Sequence, residues 1–323
     1  MTPRSDGLLE GVRRACARVA ELAEFVRLDR AALERWVEVR AGSPPAPPSL
    51  DPAHHRVGDA DTTLAFVLTL DAINFGSGWF PVLTKRSGLS GYLSIATALK
   101  EHFEREGPWS AAGLRRVTSS DCAAILGQRG NAAALPLMQL FARALVDLGV
   151  WLEARHGGCF RAAVAAAGES AEALARSLAE MPLYRDVSLY RGFEVPLYKR
   201  AQITASDLAE AFEGEGPGRF RDLERLTIFA DNLVPHVLRR EGVLVYAPEL
   251  ALRIDREELL PAGSPAEVEI RAVALHAVEC ALAALRARGV EICASALDHE
   301  LWNRGQAPEI KAHPRHRTRS TYY

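Results

Sequence analysis

The chain has 323 residues, 48% of them hydrophobic and 25% charged, with a net charge of -2. This composition describes a globular protein with an ample core and excludes a collagen-like or disordered chain. No global basic field is present to gather long nucleic acid, which argues against a duplex-binding protein and leaves a nucleotide-sized substrate open.

The five cysteines, Cys16, Cys122, Cys159, Cys280 and Cys293, form no C-x-x-C pair. No apolar run approaches ~20 residues, and the start M-T-P-R-S-D-G lacks a signal-peptide core. A reduced, cytoplasmic protein without a membrane partner is expected.

In chain order, Leu8, Val12, Ala15, Val19, Leu22 and Val26 recur at three- and four-residue steps, predicting an amphipathic helix over 7–27. Asp29 is placed to cap a second helix reaching Arg40. S-P-P-A-P-P-S-L-D-P then breaks all periodicity and predicts a stiff connector. Residues 1–50 therefore read as a helix pair with a linker, packed on a main body over 51–323 and apart from the reactive centre.

Asp59 and Asp61 open a helix carrying T-L-A-F-V-L-T-L-D-A-I-N-F, apolar on nearly all sides and so expected to be buried. Asp71 and Asn74 interrupt it three positions apart and share a face. They read either as the wall of a polar pocket or as partners of a neighbouring loop's backbone. Residues 79–92 are aromatic and turn-rich, predicting a hairpin or an irregular loop. Helices follow over 93–106, 121–127 and 135–155, with two short ones in 157–167 and 171–181. The last long helix is expected at Ala266–Arg286, with Ser264 as cap and Pro265 at its first position, and another from Cys293 to Trp302. β-signals are few, so the fold class is predominantly α.

Several function classes lack their motifs. There is no G-x-x-x-x-G-K-[ST], no G-x-G-x-x-G after a strand, no G-x-S-x-G and no H-E-x-x-H. His276 and Cys280 sit one turn apart, but two residues without further ligands read as core, and no metal is expected.

The stretch from Pro196 to Leu244 sets Lys199 and Asp231 among apolar neighbours. Ser206 and Asp207 read as cap or structural residues. Asp231 follows Leu226, Ile228, Phe229 and Ala230 and precedes Leu233, Val234 and Pro235. Burying such a carboxylate unpaired costs several kcal/mol or more, so it is either a structural partner or a reactive group.

L-D-A-I-N-F, S-G-Y, F-E-V-P-L-Y-K-R-A-Q-I-T-A-S-D-L, L-T-I-F-A-D-N-L-V-P-H-V-L, G-S-P-A-E-V-E-I-R-A and the end L-W…H-R-T-R-S-T-Y-Y occur in that order. Together, from about residue 57 onward, they resemble the queuosine salvage protein family, the queuosine 5′-phosphate N-glycosylases/hydrolases. The chain departs from the family's pattern at D-N-L-V-P-H and at F-G-S-G-W. The resemblance implies a helical body similar to helix-hairpin-helix DNA glycosylases over 51–323. It also implies hydrolysis of queuosine 5′-monophosphate to queuine and ribose 5-phosphate, without metal or redox cofactor. Asp231 and Lys199 would carry the catalysis. Asp71, Asn74, Trp79, Phe229, Asn232 and His236 would meet the base, and Lys199, Arg317 and Tyr322 the phosphate and ribose. The basic end, with Arg315, His316, Arg317 and Arg319 ahead of Tyr322 and Tyr323, is expected to fold back over the phosphate end.

Two other readings compete. A base-excision or tRNA-binding protein on the same fold would want a Lys/Arg stripe that this chain lacks. A non-enzymatic helical scaffold would make Asp71, Lys199 and Asp231 buried ion-pair partners. The expected partner is therefore one small nucleotide, not intact nucleic acid, with a monomer favoured.

Overall fold

The structure, a computed structural model, describes residues 7–46 and 55–323. It is predominantly α, as expected, with four strands of three or four residues among the described ones. Internal contacts divide these residues into two compact units. The first takes 7–46, 186–199 and 224–319, and the second 55–185, 200–223 and 320–323.

The first unit is built on the helix Pro265–Arg286, whose 22 residues are buried on nearly every side. Such a helix needs partners all round. One is Leu8–Leu22, which turns Leu9, Val12, Cys16 and Val19 inward. This helix stops at Leu22, short of the expected residue 27. The Glu269 carboxylate takes the amides of Glu24, Phe25 and Val26 at 3.0, 2.6 and 3.1 Å. Bonded there, these amides cannot reach back to helical carbonyls. The chain instead runs extended, and Val26–Leu28 pairs antiparallel with Leu244–Tyr246.

Asp29 caps the helix Arg30–Gly42 by accepting from the Ala32 amide, as the sequence indicated. Most of the Pro-rich connector, from residue 47 on, lies outside the described residues. A hairpin pairs Val187–Tyr190 with Phe193–Pro196 through Arg191 and Gly192, both at positive φ. Helices Val234–Arg240, Pro248–Asp255 and Ala294–Arg304 complete the unit. Ser264 precedes the long helix as expected, but its hydroxyl makes no capping bond, so Pro265 at the first position carries the start.

The second unit packs the helix Ala60–Ala72 against Gly91–Glu106 and Leu135–His156. Asp59 caps the first of these through the Thr62 amide, and Thr63 to Ala72 are all buried. Phe66 meets Phe103 edge-on at 5.4 Å, and Phe75 meets Phe141 at 5.1 Å. Residues 79–92 hold no strand; a 3₁₀ helix, Ser77–Val82, leads into turns, so the irregular alternative holds. Gly91 is required where the chain passes Phe80, since a Cβ there would lie 2.6 Å from the ring. Leu135–His156 is long and apolar enough to cross a bilayer, yet Leu137, Met138, Phe141, Leu145 and Leu148 are buried inside the unit.

Candidate active site

In the first unit the stretch 226–230 has no regular secondary structure and leads through a bend into Val234–Arg240. The turn exists because Oδ1 of Asp231 accepts from the amides of Leu233 at 2.7 Å and Val234 at 3.0 Å. The same oxygen therefore satisfies two of the helix's orphan donors and fixes the carboxylate's direction. Asp231 is half-buried while Leu226 to Ala230 before it are buried. Its charge reaches Arg315, whose guanidinium burial pulls below its usual value and Asp231 pulls back up. Upstream, the Phe229 amide donates to Asp298 at 2.8 Å.

Lys199 begins the helix Lys199–Ala211 and is 6% exposed. Its amide donates to Oδ2 of Asp186 at 3.1 Å, and the Leu197 amide donates to the Asp186 carbonyl. The residue between them, Tyr198, sits at φ +50°. Asp186 in turn receives both terminal nitrogens of Arg271, at 2.9 and 2.6 Å.

Asn232 and His236 are buried and engaged with main-chain carbonyls, Asn232 with His316 at 3.4 Å and His236 with Ile310 at 3.2 Å. Burial, and then the charges of Arg315, Arg239 and Arg240, lower His236 to about 4 against the opposing carbonyl bond. His316 is lowered to about 3 by burial and then by Arg271, Arg315 and His236. Both imidazoles are neutral at physiological pH. The Arg317 guanidinium donates to the carbonyl of Glu257 at 2.6 Å, while Arg315 is the arginine on which the Asp231 charge acts. The basic end is ordered rather than frayed: His316 and Thr318 are buried, and Leu260 donates to the Arg317 carbonyl.

The second unit gathers its own polar cluster. Asp71 is fully buried, and the Asn74 side-chain amide donates to it at 3.4 Å, so the two residues do share one space. Glu210 accepts from the Ser206 hydroxyl at 3.1 Å. Its carboxyl is pushed up to about 7 by burial, which Ser206 opposes and the Asp71 charge reinforces. Burial, then Asp207, Asp71 and Glu210, hold the Tyr92 phenol well above its ordinary value. Its hydroxyl lies 3.0 Å from Nε2 of His55. Arg200, 1% exposed, donates to Ala72 at 2.6 Å and to the Leu183 carbonyl, with its guanidinium over the rings of Phe75 and Tyr184. Trp79 is buried nearby in sequence. The Tyr323 carbonyl accepts from Gly76 at 2.9 Å and Ser77 at 3.4 Å, while the Tyr322 amide donates to Ser320.

Sequence reasoning missed Asp186, Arg271, Arg200, Tyr92 and Glu210. Arg200 directly follows Lys199 in P-L-Y-K-R, and adjacency alone does not tell which of the two is buried against aromatic rings. Arg271 lay in G-S-P-A-E-V-E-I-R-A, where three charges inside an apolar helical run were the available signal. Among the described residues, no group of three His, Cys, Asp or Glu side chains is arranged to hold a metal ion.

A family model described as queuosine salvage protein matches residues 53–323. A Sphaerobacter thermophilus protein named queuosine 5′-phosphate N-glycosylase/hydrolase is 39% identical over 97% of this chain and 98% of its own. A mouse protein of the same name is 30% identical over 97% of this chain and 93% of its own. The Schizosaccharomyces pombe protein so named is 26% identical, covering 95% of this chain and all of its own. With the match running from residue 53 through the Asp231 turn to Tyr323, the chain belongs to the queuosine salvage protein family.

Proposed function

We propose that this protein hydrolyses the N-glycosidic bond of queuosine 5′-monophosphate, with Asp231 as the charge that stabilises the reaction. The observation that carries the assignment is the Asp231 turn: one carboxylate oxygen is tied to two amides, so the other is held in a set direction. Breaking the bond between C1′ and the base nitrogen builds oxocarbenium character on the ribose. A preorganised carboxylate stabilises that charge without reorganising as it forms. Water adds to C1′, one of its protons ends on the departing base, and the products are queuine and ribose 5-phosphate. A 7-deazapurine has no N7 to protonate, so more of the barrier falls to electrostatics and to orienting the water, for which Asp231 can also serve as base.

Lys199 supplies a compact cation suited to the 5′-phosphate or a ribose oxygen, and Arg315 a second cation close to Asp231. Asp71 and Asn74 have the chemistry to read the base, a buried carboxylate in the last turn of Ala60–Ala72 and an amide just beyond that helix. The names of the relatives support the substrate, and the near-neutral charge supports a mononucleotide over intact nucleic acid. The purified chain, given queuosine 5′-phosphate, should release free queuine, followed by chromatography. Intact queuosine-containing tRNA should yield none. Release from tRNA with no activity on the mononucleotide would reverse the assignment.

A further inference from the structure

The motif G-S-P-A-E-V-E-I-R-A buries three charged side chains, Glu267, Glu269 and Arg271, each with 0% exposure. Glu269 is accounted for by the turn at residues 24–26 and by the Tyr190 hydroxyl, which donates to it at 2.8 Å. Glu267 accepts from the Gly263 amide at 3.1 Å and lies 3.7 Å from Arg271.

Arg271 does something different. Its Nη1 and Nη2 donate to the two oxygens of Asp186, while Nε donates to the carbonyl of Ala230 at 2.9 Å. Ala230 immediately precedes Asp231. On the other side of the pair, Oδ2 of Asp186 accepts the Lys199 amide, and the Asp186 carbonyl takes the amides of Leu197 and Tyr198 at 2.9 and 3.4 Å. One fully buried pair therefore anchors the main chain next to Asp231 and the main chain of Lys199 itself. Tyr198 adds a second, independent sign. A bulky residue at φ +50° is held in a sparsely populated conformation, and such strain persists only where its surroundings over-determine it. Here the surroundings are Asp186, and the strained residue delivers Lys199.

We infer that Asp186 and Arg271 are positioning residues for the reaction: a buried brace that sets the spacing of Lys199 and Asp231. The inference rests on the assignment of those two residues proposed above. A buried pair of this kind is not needed for stability, since well-packed apolar side chains of similar volume often replace one without loss. What apolar side chains cannot do is direct three bonds at set points of two separate segments. Small misplacements of reacting groups are costly in rate.

The test uses the full chain with queuosine 5′-phosphate, reading queuine release and the thermal midpoint. Arg271→Lys keeps a buried cation but not the planar fork, so it cannot hold both Asp186 oxygens and the Ala230 carbonyl at once. The expected result is a folded protein whose kcat falls about 100-fold while KM stays within about threefold. The double variant Asp186→Leu/Arg271→Met removes both charges of the pair but also the bonds to the Ala230 carbonyl and the Lys199 amide and the cation beside Glu267, so it should have a lower midpoint and be at least as slow. Wild-type kcat in either folded variant overturns the inference, and if the double variant aggregates, Arg271→Lys decides alone. Asp231→Asn is measured alongside. Turnover unchanged there removes the site assignment itself, whereas turnover lost there and kept in Arg271→Lys removes only the brace.

Discussion

Asp231 performs two jobs through one carboxylate, and substitutions separate them. Asparagine keeps an oxygen for the Leu233 and Val234 amides but removes the charge. Asp231→Asn is expected to lose at least ~100-fold in turnover with its thermal midpoint little moved. Asp231→Ala should lose as much activity and, with the bonds to the Leu233 and Val234 amides gone, about 1 kcal/mol of stability besides. Near-wild-type queuine release by the asparagine variant would take Asp231 out of the mechanism.

Asp71 poses a different question, because a carboxylate can meet either feature of queuine. Its secondary amine is cationic near neutral pH, whereas the ring N–H and exocyclic amine are shared with guanine. A charge-assisted bond to the amine contributes on the order of 1.5–3 kcal/mol. Asp71→Asn is therefore compared on queuosine 5′-phosphate and on 7-deazaguanosine 5′-phosphate, which lacks the side arm. Loss confined to queuosine identifies the amine, equal loss identifies the base edge, and no loss on either means that Asp71 and Asn74 are structural.

At the scale of elements, the C-terminal segment is held by the His236 ring at the Ile310 carbonyl and buries a second neutral imidazole, His316. His236 and His316 have their folded values lowered to about 4 and about 3, from an ordinary 6.5. Between those values and 6.5 the unfolded chain binds more protons than the folded one. Their contribution is thus complete above 6.5 and is lost as pH falls toward 4. Urea midpoints from about pH 8 to about pH 4 should drop on the acid side. His236→Gln, which keeps a donor for the Ile310 carbonyl without a titrating ring, should make that drop shallower. An unchanged acid limb in this variant would mean that His236 takes up its proton without cost.

On the scale of the whole molecule, residues 7–46 contribute to a core rather than only to a surface. Val12, Cys16, Val19 and Val37 are fully buried and Trp36 nearly so, in one cluster with Val273, Leu282 and Tyr246. Full burial contributes about 1.5–3 kcal/mol for a side chain of this size, so losing several is comparable to a typical net stability of about 5–15 kcal/mol. A chain beginning at residue 55 should accordingly fail to unfold cooperatively in a thermal scan. Cooperative unfolding together with queuine release would show that the N-terminal helices are dispensable.

What could be read directly from the residues was local. Asp29 and Asp59 cap the helices they precede and Asp71 meets Asn74, because each depends on neighbours within one turn, and the mostly apolar run at 63–72 is buried. Asp231 stood out because a carboxylate among apolar residues must have a reason. The tertiary structure decided the partners that periodicity does not encode. Glu269 ends the first helix from 243–245 positions away, and Arg271 finds Asp186 across 85. A buried charge announces in the sequence that it needs a partner. Which partner it finds depends on how distant segments pack, and that is settled only when the core closes around them.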